Sequence, residues 1–485
     1  MISIKKNNKN LLVIGAGITG LSTGIHALLK GYNVEIFEKN DFPGGCCTGW
    51  FREGYYIDNC MHWLTGTNQH TKGFKLWKKL GAISETSNLY QGEYFYKSVY
   101  DNNEIALSTD TKKLRKEMLD LSSADAEETS RFVDAIEELV KANQINNFIC
   151  TPFVVAKGYL KNYLYYHKLS LGELSKKFKH PLLQRLFTDY FPAEYSSLSL
   201  ICAYATFASG NGKVYEKGSK EFANNIAKKF ISLGGIIHYN SNVTNIEITN
   251  NSFKSITANN QKIEGDFLIS TIDPMFLFNN LIDNSYMPKD LKNKFLDKKK
   301  NEIVSSFHIA YLINQDTPDI TETSVIEIEP TLVGKHTITR LLIKDYSYLY
   351  KDKDKKVVQL FIVQNMEDIE YWQDLYTNNK EEYKIVKENT TTNLTSALLN
   401  KLPNLKDNLH LLDSWTPVTY NSYFNTYYGS YMGFVFKKKG SIKKLSSKIK
   451  NIKNMRYVTY WQAYMGGLPI AARLGEAVVK QLWYL

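Results

Sequence analysis

Cysteine is scarce in this chain: Cys46, Cys47, Cys60, Cys150 and Cys202 are the five among 485 residues. An odd number without regular spacing excludes a disulfide framework and points to a reducing compartment. Cys46 and Cys47 are neighbours, and a bridge between them would be strained. No cysteine has metal-ligand spacing, so no metal site is expected. Long apolar runs are also missing. The nearest, Leu11 to Leu29, is interrupted by Gly15, Gly17, Gly20, Gly24 and His26. It reads as strand, turn and helix rather than a membrane span. No signal peptide is visible in the polar first ten residues. No internal repeat and no nucleic-acid motif is found, which excludes a nucleic-acid partner. These absences lead to a soluble or peripheral protein of the cytoplasm, at most touching the inner face of the cell membrane.

The composition that remains is that of a globular chain, 43% hydrophobic and 22% charged. Its length predicts two domains, interleaved in sequence. Aromatics reach 13%, with 33 tyrosines. The net charge is +11 and the pI about 9.0. That field favours acidic lipid or a phosphorylated cofactor. Lysine runs at Lys298–Lys300 and Lys437–Lys439 read as a solvated face, with a membrane-facing patch as the alternative.

The informative segment is Val13-Ile14-Gly15-Ala16-Gly17-Ile18-Thr19-Gly20. It follows an apolar strand, opens a helix, and precedes a second strand, Asn33–Phe37, that ends at Glu38. That is the context of a dinucleotide-binding turn. Gly15 permits the tight turn, Gly17 admits a pyrophosphate, and Gly20 lets helix and strand pack. The helix N-terminus offers free N–H groups to phosphate, and Glu38 and Lys39 stand at the ribose. A second glycine turn, Gly44-Gly45-Cys46, follows the acidic strand end. No second Gly-x-Gly-x-x-Gly occurs later. These features favour FAD over NAD, leaving NAD(P)H or a quinone as the electron partner.

Farther along, residues Thr71 to Ala205 read as mostly helical. A helical stripe of Phe222, Ile226, Ala227 and Phe230 closes at Gly234-Gly235 and leads into short strands. Val243 and Thr271 in that region fall at the cofactor edge of a split sheet. The tyrosines from Tyr420 to Tyr431 suit either an aromatic tunnel or a half-exposed strand. The chain closes with a strand near Arg456, then Gly466-Gly467-Leu468-Pro469 and a helix.

Several of these stretches resemble one family. Gly44-Gly45-Cys46-Cys47-Thr48-Gly49, Gly54-Tyr55-Tyr56-Ile57-Asp58 and His62-Trp63-Leu64 resemble the N-terminal region of the phytoene desaturase, carotene isomerase and retinol saturase group of flavoproteins. Lys217-Gly218-Ser219, Thr416-Pro417 with Tyr423–Gly433, and Gly466-Gly467-Leu468-Pro469 are similar to later segments of the same group. The resemblance departs at Cys46, where many relatives carry arginine, at Gly218-Ser219 and at Cys60. It implies a Rossmann-like FAD-binding domain, split in sequence, with an inserted α+β substrate domain. The expected divisions are 1–75, 206–285 and 451–485 for the flavin and 76–205 and 286–450 for the substrate. It also implies hydride transfer between flavin N5 and a C–C bond of a hydrophobic isoprenoid or lipid-like substrate. The loop Asp58–Leu64 and the segment Gln462–Pro469 would border the flavin, with His62 and Tyr464 as candidate catalytic residues. Cofactor contacts are then expected from Gly15, Ala16, Gly17, Ile18, Thr19, Gly20, Glu38, Lys39, Gly44, Gly45, Cys46, Val243, Thr271, Gly466, Gly467 and Leu468. Trp63 reads as packing, and Cys60 as a small buried residue, with a redox group or a covalent flavin attachment as the alternative. The competing readings are an FAD-dependent amine oxidase acting on a C–N bond and a non-catalytic flavin-binding protein.

Overall fold

The computed structural model describes residues 9–146, 157–317, 320–351, 353–440, 445–463 and 466–482. Leu11, Leu12, Val13 and Ile14 form an unbroken apolar run, as expected of a central parallel strand covered on both faces. Strand Asn10–Ile14 lies in the middle of a five-stranded parallel sheet. The strand order is Met455–Tyr457, Phe267–Ser270, Asn10–Ile14, Asn33–Phe37, Ile236–His238. Helix Ile18–Leu28 is buried along its whole length. Helices Gly218–Ser232 and Leu468–Gln481 pack against it through Phe222, Ile226, Phe230, Leu474 and Val478. The opposite face meets a three-stranded antiparallel sheet, Val243–Thr249, Ser252–Ala258 and Gln261–Glu264. The sheet is therefore a Rossmann-like layer whose strands come from three separated parts of the chain.

A second sheet has seven strands, with Ser305–Asn314 and Lys355–Gln364 near one end. Helices Met366–Asn378 and Lys380–Lys401 cover one face, where Trp372, Leu394 and Leu398 meet Phe307, Ile309 and Tyr311. Alternation sends the even-numbered neighbours of those strand residues to the other face. There His308 pairs across the strands with Phe361 on one side and Trp415 on the other.

Two sequence expectations change here. The stretch from Thr71 to Ala205 is not uniformly helical. Tyr94–Tyr100 and Asn103–Ser108 form a hairpin at the edge of the seven-stranded sheet. Its turn residues Asp101 and Asn102 have φ of 48° and 59°, the two-residue geometry that matches strand twist. The tyrosine-rich segment is no strand. Thr416 caps a helix, Pro417–Phe424, which ends at Asn425 in the left-handed region. The helical remainder includes Ala126–Asn146 and the buried Ser197–Ala208. Residues 147–156, part of the apolar Asn147–Leu200 stretch, lie outside the described residues. No described helix is long and apolar enough to cross a membrane.

Candidate active site

The first strand ends at Gly15, whose φ of 96° turns the chain sharply into the helix. Gly15 donates its N–H to the Phe37 carbonyl at 2.8 Å, which ties the turn to the neighbouring strand. Helix Ile18–Leu28 then starts at Gly17 with no side-chain cap and no acidic residue in its first turn. Its leading N–H groups have no intrahelical acceptor and carry the positive end of the helix dipole. A Cβ on Gly17 would meet only the Gly44 carbonyl oxygen, 4.0 Å away. In front of these donors is open space, part of a cavity of about 470 Å³. Uncapped donors facing a void fit an anionic group such as a pyrophosphate.

Around this turn the other N-terminal candidates divide. Gly15, Gly17, Ile18, Thr19, Glu38, Lys39, Gly44, Gly45, Cys46, Val243 and Thr271 line the cavity. Ala16 and Gly20 are absent from the lining and shape it instead. Ala16 donates its N–H to Glu38 Oε2 at 2.8 Å and accepts the Gly44 N–H at 2.9 Å. A Cβ on Gly20 would overlap the Gly15 carbonyl. Glu38 is only 6% exposed and also accepts the Asn40 N–H at 2.9 Å. Burial pushes its carboxyl upward, partly offset by those two N–H groups. Thr271 donates to the Ile14 carbonyl at 2.8 Å and so pins the adjoining strand.

A second uncapped helix start reaches the same cavity. Helix Leu468–Gln481 begins at Gly467, with φ of 85°, no side-chain cap and proline in its first turn. Gly466, Gly467 and Leu468 line the cavity. Ser22 donates to the Ala472 carbonyl at 2.6 Å, locking this helix to the first one. Tyr464 lies outside the described residues.

The loop Asp58–Leu64 is held by a residue the sequence reading had not singled out for this task. Asp58 is buried, and its carboxylate accepts the Ser219 N–H at 2.6 Å and the Ser219 hydroxyl at 2.7 Å. It also accepts the N–H groups of Cys60 and Met61, at 2.9 and 3.1 Å. Ser219 at the Gly218-Ser219 departure therefore supplies a hydroxyl to that anchor. His62 faces the cavity and shares a hydrogen bond of 2.9 Å between Nδ1 and the Tyr190 hydroxyl. Burial, then the charges of Lys344 and His308, holds its imidazole well below the usual range, so it is neutral at pH 7.

Lys344 is buried behind this loop and donates to the His62 carbonyl at 2.8 Å. Burial pushes its ammonium down from 10.5 to about 8. The folded state thus disfavours the proton, which costs about 3 kcal/mol below pH 8 and nothing above about pH 10.5. Replacing Lys344 by methionine removes that cost and loses one hydrogen bond worth about 1 kcal/mol. We expect Lys344→Met to be about 2 kcal/mol more stable in urea at pH 7, with the gain gone by about pH 10.5. A gain of equal size at both pH values would contradict this account.

Beyond the loop the cavity becomes apolar and aromatic. Trp63, Tyr190, Phe191, Tyr195, Phe361 and Tyr431 line it, with Cys202, Ala203 and Thr206 from helix Ser197–Ala208. Trp63 packs edge-on to Phe95 at 5.2 Å. His308 lies flat on Trp415, 4.6 Å between centroids, and burial lowers its imidazole to about 3. Of the tyrosine-rich segment, Tyr420, Phe424 and Tyr431 reach the cavity. Tyr423 is 58% exposed, and Tyr427 packs on Phe295. Among the described residues lining the cavity, Lys39 is the only lysine, and Glu38 and Asp273 are the only carboxylates.

Comparison with known proteins now decides the family. The flavin containing amine oxidoreductase family matches residues 18–308, more than half of the chain. The chain belongs to that family. It is an FAD-dependent oxidoreductase, of the Rossmann-like class that its strand–turn–helix start and phytoene desaturase-like motifs predict. A 4,4'-diaponeurosporene oxygenase of Staphylococcus aureus (strain MW2) is 22% identical over 98% of both chains. An oxidoreductase from Methanosarcina mazei superposes with a TM-score of 0.58 at 14% identity, covering 97% of this chain and all of the other. A putrescine oxidase bound to putrescine gives 0.60 at 13% identity, covering 99% and 100%. At such identities the solved structures share the fold.

FAD suits the residues of this flavoenzyme. The dinucleotide side has the acidic strand end, two uncapped helix starts and glycines where a side chain would fill the cradle. Asp273 also lines the cavity, accepting from Tyr427 N–H at 2.9 Å and Trp461 Nε1 at 2.8 Å, and burial raises it to about 6. Sequence reasoning missed Lys344 and His308 because a lone lysine or histidine inside a strand carries no motif. Only the fold brings them to the cavity side of the sheet.

Proposed function

We propose that this flavoenzyme transfers hydride between FAD and a C–C bond of a long isoprenoid substrate, a carotenoid-like polyene. The observation that carries this reading is the substrate side of the cavity, which is aromatic and apolar and has neither ammonium nor carboxylate in its described lining. Such a lining suits a hydrocarbon and leaves a cationic amine unpaired. The relative named for 4,4'-diaponeurosporene, matched from end to end, supports the same substrate class. Bound FAD supplies a two-electron hydride acceptor or donor at N5.

The chain's own part is to bind, orient and keep out water. In this reading the uncapped starts of Ile18–Leu28 and Leu468–Gln481 hold the dinucleotide, and Glu38 and Lys39 its ribose side. Residues 1–75, 206–285 and 451–485 form the flavin unit, and 76–205 and 286–450 the substrate unit. Trp63, Phe191 and Phe361 clamp the polyene. Neutral His62, backed by Tyr190, orients the reacting segment and can hold a proton at Nε2. The net charge of +11 and exposed Leu164, at 48%, favour docking on acidic lipid at the inner face of the cell membrane. NAD(P)H or a quinone completes the electron balance.

The test is anaerobic mixing of the yellow protein with candidate polyenes and with amines. Bleaching by a polyene, or conversion of a polyene by the reduced protein, is expected. Bleaching by amines and no reaction with polyenes would replace this reading with amine oxidation. Ala203, which lines the substrate side, offers a second test. Ala203→Trp should cut turnover of a long polyene by at least about tenfold, or 1.4 kcal/mol, with flavin content unchanged.

A further inference from the structure

A polar station interrupts the aromatic side of the cavity. Asn59, His308 and Tyr420 all line it. Separate elements bring them together. His308 and Ser306 lie two apart on strand Ser305–Asn314 and so share one face. Tyr420 comes from helix Pro417–Phe424. Asn59 follows the Asp58 anchor, and its backbone N–H donates to the Thr48 carbonyl at 3.0 Å. His308 Nε2 lies 2.6 Å from the Ser306 hydroxyl and 3.2 Å from that of Tyr420. Trp415 Nε1 donates to the same Tyr420 oxygen at 3.2 Å. Tyr420 in turn donates to Asn59 Oδ1 at 3.0 Å. A phenol has one proton, and Tyr420 uses it on Asn59. His308 Nε2 therefore carries the hydrogen that the Tyr420 and Ser306 oxygens share.

This chain of bonds leaves one group over. With Oδ1 taken, the Asn59 side chain still has two N–H donors. Its Nδ2 makes no hydrogen bond to a described residue, and it is open to the cavity rather than sealed in protein. The neighbouring rings fix where it stands. Tyr420 packs on Tyr431 at 5.2 Å, His308 on Phe361 at 4.7 Å, and Phe361 also meets His62 at 5.1 Å. The amide therefore stands among the rings of the substrate side. We propose, resting on the polyene reading above, that Asn59 is a specificity residue whose amide N–H groups take a neutral oxygen of the substrate, an isoprenoid carbonyl or alcohol. An unpaired donor in a dry apolar site is costly, and a ligand oxygen relieves that cost. A bare hydrocarbon does not. The oxygen is neutral because Lys39, the only ammonium in the described lining, is held at the dinucleotide side by Asn425 Oδ1 at 2.9 Å and the Ser422 carbonyl at 3.2 Å. A carboxylate would find no counter-charge beside Asn59. Tyr420 is a positioning residue, since its bond decides which end of the amide meets the ligand.

The test titrates holoprotein with a matched pair, a polyene hydrocarbon and the same polyene bearing a terminal aldehyde, followed by quenching of protein fluorescence. The wild type is expected to bind the aldehyde at least about tenfold more tightly, or 1.4 kcal/mol. Asn59→Leu should keep its flavin and bind both with the affinity that the wild type shows for the hydrocarbon. Tyr420→Phe should fall between. A second measurement needs no variant. The C=O stretch of the bound aldehyde, read by Raman scattering, should lie below its value in hexane, and Asn59→Leu should restore it. Equal binding of the pair by the wild type, or an unshifted carbonyl, would overturn the proposal and leave the polyene reading intact. A folded Asn59→Leu protein without flavin would also overturn it, by assigning the amide to the cofactor. Binding of neither polyene would remove the polyene reading itself, and the proposal with it.

Discussion

A Gly17→Val protein is expected to fold normally and to purify without its yellow colour. Gly17 has φ of −64° and ψ of 173°, an extended backbone that any residue adopts. Its added Cβ would find the Gly44 carbonyl 4.0 Å away and nothing closer. The fold therefore accepts the side chain. The cavity does not, because the methyl groups would stand where phosphate oxygens must approach the N–H groups of helix Ile18–Leu28. We expect FAD affinity to fall by roughly two orders of magnitude, about 3 kcal/mol. The flavin-to-protein absorbance ratio and far-ultraviolet circular dichroism, read on the same preparation, check this. A yellow Gly17→Val protein would remove the cradle assignment. Gly20→Ala is the contrasting case. Its Cβ overlaps the Gly15 carbonyl inside the protein, so colour and stability should be lost together.

Asp58→Ala should be the most damaging change outside the glycine turn. One buried carboxylate accepts from Ser219 N–H, Ser219 hydroxyl, Cys60 N–H and Met61 N–H. Its own carbonyl also accepts from Gln359 Nε2 at 2.8 Å, joining the loop to the seven-stranded sheet. Alanine keeps the last of these, and Met61 N–H keeps its 3.0 Å bond to the Ser219 hydroxyl oxygen, but the Ser219 N–H, the Ser219 hydroxyl and the Cys60 N–H are left unpaired in a dry place. The expected loss of stability is about 3–5 kcal/mol. Asp58→Asn should fall between, because its amide NH₂ cannot accept from the Ser219 N–H. Urea midpoints of the three proteins rank them, and a midpoint for Asp58→Ala within error of the wild type would refute the anchor.

How much of this was readable beforehand differs along the chain. The glycine turn was legible because its chemistry is local. Gly15, Gly17, Gly20 and Glu38 act within one strand–turn–helix–strand unit, and the spacing itself states the geometry. Asp58 was visible as part of a motif, but its partner Ser219 is 161 residues away, and nothing in either segment names the other. The hairpin at Tyr94–Tyr100 was hidden because its turn, Asp101-Asn102, contains no glycine and its strands mix charged and aromatic residues. The tyrosine-rich segment was legible only in part. Its rings suited a tunnel or a half-exposed strand, yet Thr416 and Pro417 start a helix there, and packing sends only some of the rings to the cavity. Lys344 and His308 acquire meaning from burial, which no single-chain pattern records.

The parallel sheet also dictates a timetable. Its central strand, residues 10–14, is made first, but one flank waits for residues 267–270 and the outermost position on that side for residues 455–457. The second of the two helix starts that face the dinucleotide exists only after residues 466–481 have left the ribosome. Contacts of such long sequence separation close late and slowly. Flavin capture by both helix starts therefore waits for the helix Leu468–Gln481 to emerge. Until residues 267–270 arrive, the central apolar strand is paired on one edge only, and its open edge needs shelter from its neighbours.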